Sequence, residues 1–281
     1  MAKKKTRTRK ATARKSPVRR AKPKARRIAA PKKPARKRPA PKKTPRKKAR
    51  KGAISSSVRY AGESPAYRKA RDRLLKAEIE LRRLTEAVAA ERRKLPQGGE
   101  LIEDYVFEEA DLTGAARSVR FSELFVSGKD TLVVYNFMYG PAMEKACPSC
   151  TSILDALDGN AQAITQRVNF AVVAKSPIAR IRSHARDRGW YKLRLLSSDG
   201  NHYNRDYHGE TPEGSQRPML NVFVRKGETI RHFWGSELAY TKAEKGQDPR
   251  HVDFMWPLWN LWDTTPIGRG TDWRPKLSYA G

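Results

Sequence analysis

The chain has 281 residues and a formal net charge of +31, from 60 Lys or Arg against 29 Asp or Glu, with only two cysteines. Two cysteines do not make a disulfide-stapled secreted scaffold, and no apolar run approaches the roughly 20 residues of a membrane span. The N-terminus carries positive charge without the apolar core of a secretory signal, so a cytoplasmic location is expected.

The charge is unevenly spread. Residues 1–51 contain 26 Lys or Arg and no acid, and the first acidic residue is Glu63. The remainder holds 34 basic and 29 acidic residues, a balance of +5, so the extreme charge belongs to the N-terminal segment. Residues 1–57 repeat Lys, Arg, Ala and Pro, as in Ala30-Pro31-Lys32-Lys33-Pro34. With almost no apolar groups such a segment cannot offset its ordering entropy, and disorder is predicted. It looks like the basic tails of linker histones and some bacterial nucleoid proteins. Lysines and arginines at this density are expected to bind DNA or RNA phosphates through residues 1–51 by counterion release, without reading sequence. That leaves nucleoid association open.

A long helix is predicted next, over about 58–97. Ser64 can cap it and Pro65 suits its first turn. Tyr67, Leu74, Leu81, Val88 and Leu95 recur every seven residues, with Ala70, Ala77 and Leu84 interleaved. Such a stripe can form a coiled coil, and so a homodimer through residues 64–95, or it can pack on its own domain. Pro96 and Gly98-Gly99 end it.

From residue 98 the composition becomes globular. Tyr105–Phe107 reads as a short strand, 121–125 as a helical turn, and Thr131–Tyr139 as a nearly continuous apolar strand running into a Gly140-Pro141 turn. Then comes Cys147-Pro148-Ser149-Cys150, and a helix continuing over 152–165. A second buried strand at 168–174, a helix at 177–188 and a third strand at 193–197 follow. Strands alternating with helices predict a parallel sheet. Residues 217–224 and 229–234 flank Lys226-Gly227-Glu228 and read as a β-hairpin entered through Pro218. The last segment is aromatic: Phe254, Trp256, Trp259, Trp262, Trp273 and Tyr279.

The two cysteines carry the chemistry. At this spacing on a first helical turn they can close a disulfide. The helix N-terminus favours a thiolate through unpaired N–H groups and partial positive charge. A lowered pKa makes Cys147 an attacking nucleophile, and Cys150 can resolve the mixed disulfide. Other readings stay open. A four-cysteine zinc site lacks its second pair. A Cys2His2 site lacks a tight His pair, His202 and His208 being six apart. A haem attachment needs His where Thr151 stands. A buried, inert pair is the plainest alternative. His251 and Asp253 form a candidate proton-transfer pair.

The order strand, Cys-x-x-Cys helix, strand, helix, strand, Pro218 and hairpin resembles the thioredoxin fold. That resemblance implies a cis Pro218 facing the dithiol and shaping the substrate groove. A closer match covers roughly residues 57–281. Val58-Arg59-Tyr60, Glu103-Asp104-Tyr105-Val106-Phe107, Phe137-Met138-Tyr139-Gly140-Pro141, Cys-Pro-Ser-Cys and Asp253-Phe254-Met255-Trp256-Pro257-Leu258-Trp259-Asn260 resemble domain-of-unknown-function family 899. Its members are described as predicted dithiol-disulfide oxidoreductases of thioredoxin-like fold.

The expectation is therefore an α/β, thioredoxin-like domain over 98–281, preceded by the long helix and the disordered basic tail. Its expected reaction is thiol–disulfide exchange by Cys147 and Cys150 on protein or small-molecule thiols and disulfides, with no metal or organic cofactor implied. The alternatives are a nucleic-acid-associated protein whose dithiol is a sensor or vestigial, and a thiol-dependent peroxide reductase.

Overall fold

The computed structural model describes residues 56–110, 115–245, 253–270 and 272–279. The expected basic tail, His251 and the proton-transfer pair it was to form lie outside the described residues.

Helix α1 spans Pro65–Arg93. Ser64 Oγ accepts the Tyr67 N–H at 3.1 Å, satisfying one of the orphan donors of the first turn. No α1 residue is buried, and the first turns of the heptad stripe face outward, with Tyr67 47% and Leu81 64% exposed.

Strands β1 (Val106–Ala110) and β2 (Ala116–Arg120) follow, then a 3₁₀ turn at Phe121–Leu124 and β3 (Thr131–Asn136). Helix α2 is Pro148–Ile164, β4 is Asn169–Ala174, α3 is Ile178–Arg188 and β5 is Leu195–Ser197. A single turn, α4 (Tyr203–Asp206), precedes the hairpin of β6 (Met219–Lys226) and β7 (Thr229–Gly235), and α5 (Pro257–Trp262) comes last.

The seven strands among the described residues join one sheet in the order β2-β1-β5-β4-β3-β6-β7. The expectation of a parallel sheet holds only for β3, β4 and β5. β1 forms a hairpin with β2 and lies antiparallel on β5, while β6 lies antiparallel on β3 and pairs with β7. The sheet is mixed because parallel neighbours need a crossover helix, and only β3–α2–β4–α3–β5 supplies two of them. The β3 strand ends at Asn136, three residues earlier than its apolar run. Residues 137–146 leave the ladder and feed the cysteines.

Alternation along the strands divides the core between two faces. On one, Tyr135, Phe137, Phe170, Val172 and Leu220 meet Ile153, Leu154 and Ala161 of α2 and Ile181 and Ala185 of α3, with Trp256 and Trp259 closing the layer. On the other, Leu132, Val134, Ala171, Val173 and Phe223 pack under an aromatic cluster of Tyr105, Phe107, Phe121, Tyr203 and Tyr207. Each fully buried Leu or Ile side chain contributes about 1.5–3 kcal/mol. At the β7 edge, Gly99 O accepts the His232 N–H at 2.9 Å and Leu101 N–H reaches Ile230 O at 2.8 Å. The Arg92 guanidinium lies 5.0 Å from the Trp234 ring centroid and so fixes the end of α1 against β7. Among the described residues no helix is long and apolar enough to cross a membrane.

Candidate dithiol site

The chain leaves β3 and turns tightly at Gly140, whose carbonyl accepts the Met143 N–H at 3.1 Å. A Cβ on Gly140 would come within 2.7 Å of Gln216 Cγ, so the turn is pressed against the approach to β6. Arg180 of α3 clamps the same turn. Its guanidinium donates to the carbonyls of Gly140 (3.3 Å), Glu144 (2.9 Å) and Met143, and lies 4.4 Å from the Tyr139 ring centroid. Ser176 Oγ donates to Tyr139 O at 2.7 Å. The Cys147 N–H then reaches back to Met138 O at 3.0 Å. This returns the chain to the end of the sheet where α2 begins.

Cys147 is the N-cap of α2 and Pro148 occupies its first turn. Pro loses nothing there, since the first N–H groups of a helix have no intrahelical partner. Cys147 Sγ accepts the Cys150 N–H at 3.5 Å. Apolar Cys150, Ile153, Leu154, Leu157 and Ala161 recur at helical spacing and face the sheet. That periodicity carries the second sulfur inward: Cys147 is half-buried and Cys150 wholly buried, both as free thiols.

The two environments split the thiols. The hydrogen bond from the Cys150 thiol pulls the Cys147 pKa down to about 7, against the opposing effect of burial, and the backbone N–H groups of Cys150 and Ser149 add to the lowering. Burial pushes Cys150 well above the ordinary thiol range, and the hydrogen bond and charge of Cys147 push the same way. The flanking Glu144 and Lys145 are exposed, and no Lys, Arg, Asp or Glu side chain is among the causes.

Pro218 sits at the same end of the sheet. Met219 pairs with Asn136, so Pro218 lies alongside the segment that leads from β3 to the cysteines. The Arg217–Pro218 bond is trans, since the described residues contain no cis peptide bond. This corrects the cis proline that the thioredoxin resemblance implied. The trans isomer is the intrinsically preferred one. Pro218 O accepts the Tyr240 hydroxyl, and Arg217 lies 5.2 Å from the Tyr240 ring centroid.

Two phenols at the site have no motif to announce them. The Tyr135 hydroxyl is buried with no hydrogen-bond partner of good geometry, and the sulfur that acts on it most is Cys150. The Tyr240 pKa is pushed up to about 12, first by burial, with Cys150 also raising it. Trp256 Nε1 donates to Ser152 Oγ at 3.1 Å, tying the aromatic segment to the second turn of α2. The signal for Tyr135 is a phenol in an otherwise aliphatic strand that feeds the dithiol. Thr151 Oγ1 lies 3.2 Å from His184 Nε2. Among the described residues no three His, Cys, Asp or Glu side chains converge as a metal site requires. The cavity of about 780 Å³ between α1 and β7, lined by Leu84, Val88, Trp234 and Leu238, does not include the cysteines.

The profile of a family described as "Bacterial protein of unknown function (DUF899)" matches residues 58–279. The chain belongs to the DUF899 family. The whole dithiol site lies inside the DUF899 match. No protein of curated function matches the chain in sequence. Among solved structures, a reduced 2-Cys peroxiredoxin of Plasmodium vivax is similar at 14% identity, covering 58% of this chain and 91% of that one, with a TM-score of 0.38. AhpC of Enterococcus faecalis is similar at 11% identity, covering 54% and 83%, with a TM-score of 0.38. The exposed lipoprotein thioredoxin Etrx1 of Streptococcus pneumoniae is similar at 16% identity, covering 45% and 87%, with a TM-score of 0.32.

Proposed function

We propose that this protein is a thiol–disulfide oxidoreductase in which Cys147 attacks and Cys150 resolves. The observation that carries the reading is the asymmetry of the pair. One sulfur is accessible with a pKa of about 7. Its partner, one helical turn inside, is buried and held as a thiol. An attacking thiol works best with a pKa near ambient pH. The Cys147 thiolate breaks the substrate S–S bond and forms a mixed disulfide, releasing one substrate thiolate. Cys150 then attacks Cys147, closing the internal disulfide and releasing the second. The dithiol is oxidised by two electrons and the substrate disulfide is reduced. Pro218, with Tyr240 bonded to its carbonyl, borders the groove that receives the substrate.

The test is trapping. Cys150→Ser accumulates mixed disulfides with disulfide substrates, read by mass, while Cys147→Ser accumulates few. Equal and negligible trapping by both variants, with a dithiol that alkylates no faster than free cysteine, sinks the proposal. Offering a hydroperoxide in place of the disulfide tests the peroxide-reductase alternative. There the thiolate would break the O–O bond and Cys150 would condense with the resulting sulfenic acid.

Two features outside the dithiol support partners. The segregation of 26 basic residues into 1–51 supports non-specific binding to DNA or RNA phosphates, and a nucleoid-associated role in the cytoplasm. The outward-facing heptad stripe of α1 supports self-association with a second copy of the same helix.

A further inference from the structure

Cys150 poses a chemical problem that the dithiol reading does not solve. To resolve the mixed disulfide it must become a thiolate, yet burial opposes that charge. Resolution needs donors already in place around the second sulfur.

We infer that the Tyr135 hydroxyl and the Met138 backbone N–H form a two-donor cradle for the thiolate of Cys150. This rests on the thiol–disulfide exchange proposed above and names the groups that make its second half feasible. Tyr135 is on β3, flanked by Val172 of β4 and Leu220 of β6, so the sheet holds its ring rigidly. It shares a face with Phe137 and one apolar cluster with Cys150. Its hydroxyl is fully buried and lacks a well-formed partner. A folded core seldom leaves such a group unsatisfied, because burying an unpaired hydroxyl is unfavourable. Cys150 is the residue whose sulfur acts most on the ionisation of the hydroxyl, and the Tyr135 hydroxyl and the Met138 backbone N–H in turn both lower the pKa of that sulfur. Both donors favour its ionised form.

Neighbouring groups are already engaged or cannot donate. The Tyr240 hydroxyl is given to Pro218 O, the Thr151 hydroxyl is paired with His184, and Cys147 is the partner to be attacked. Tyr240 and Cys147 are also the other titratable groups that act on Tyr135. Tyr135 does not serve as a base, since burial and the neighbouring sulfurs keep its own proton in place. In the first step the Cys147 thiolate takes one sulfur of the substrate disulfide. The departing substrate thiolate carries off the Cys150 proton. The Cys150 thiolate, held by the phenol O–H and the N–H, then attacks Cys147 Sγ, and the second substrate thiolate leaves.

The full-length reduced protein is mixed with an aromatic disulfide that releases a coloured thiolate at each step, and both releases are followed by stopped flow. Tyr135→Phe removes one oxygen. It should leave the first release at the wild-type rate, slow the second about tenfold or more at pH 7, and move the pH midpoint of the second upward. Its thermal midpoint should equal or exceed the wild type's, because an unsatisfied hydroxyl is gone. Tyr135→Phe combined with Cys150→Ser should match Cys150→Ser alone, which shows that the first sulfur is undisturbed. A second release unchanged in rate and pH midpoint overturns the cradle. Absence of the first release in the wild type overturns the dithiol reading beneath it.

Discussion

Cys147 and Cys150 differ by one helical turn, and that turn separates their chemistry. With a pKa of about 7, Cys147 is about half thiolate at neutral pH, where an ordinary thiol is ionised to only a few per cent or less. Alkylation of the reduced protein by iodoacetamide should therefore rise with a midpoint near pH 7 and level off above pH 8. Cys150 in a Cys147→Ser background should react far more slowly over that range. A Cys147 midpoint at or above the ordinary thiol value, or equal rates for the two, would falsify the asymmetry. The pair is legible in the sequence because both cysteines stand alone at a helix start. Tyr135 is not, because a tyrosine in an apolar strand reads equally well as core. Only the pleat of β3 and the reach of α2 place it in one apolar cluster with Cys150. Pro218 is legible in position but not in isomer, since the trans bond follows the intrinsic preference and the resemblance pointed the other way.

At the scale of elements, α2 and α3 are legible from apolar residues at helical spacing, and the β6–β7 hairpin from Gly227 between two runs. The β1–β2 hairpin is not. Of the five residues in β2 only Val119 is buried, so the alternation that reveals a strand is missing. Their antiparallel edge turns the expected parallel sheet into a mixed one. α1 poses a different question. Its capping is plain in Ser64-Pro65, but a seven-residue repeat does not say what covers it, and among the described residues none of its side chains is fully buried. If a second α1 is the partner, sedimentation should give a dimer for the full-length protein. Leu81→Glu, at a position 64% exposed in the single chain, should give a monomer with unchanged dithiol kinetics. A wild type that sediments as a monomer at tens of micromolar excludes the coiled coil.

Across the whole molecule, charge and fold are divided along the sequence. The described domain draws on a nearly balanced +5 remainder, and the surplus lies in residues 1–51. Deleting 1–51 should abolish binding to duplex DNA at low salt and leave thermal unfolding within a few degrees of the full chain. Full-length binding should weaken steeply as salt rises, with little dependence on DNA sequence. Binding that survives the deletion places the nucleic-acid surface elsewhere. The domain carries one more consequence, in the bond between Trp256 and Ser152. These residues are 104 apart in sequence, and the indole is bonded to the second turn of the dithiol helix. Contacts of such span form only after a long stretch of chain has been ordered, because the entropy of closing the loop comes before the gain from burial. During synthesis from the N-terminus, the cysteines emerge about a hundred residues ahead of the tryptophan that covers their helix. The newborn chain therefore exposes both thiols before the apolar cluster that Trp256 and Trp259 share with Cys150 is complete.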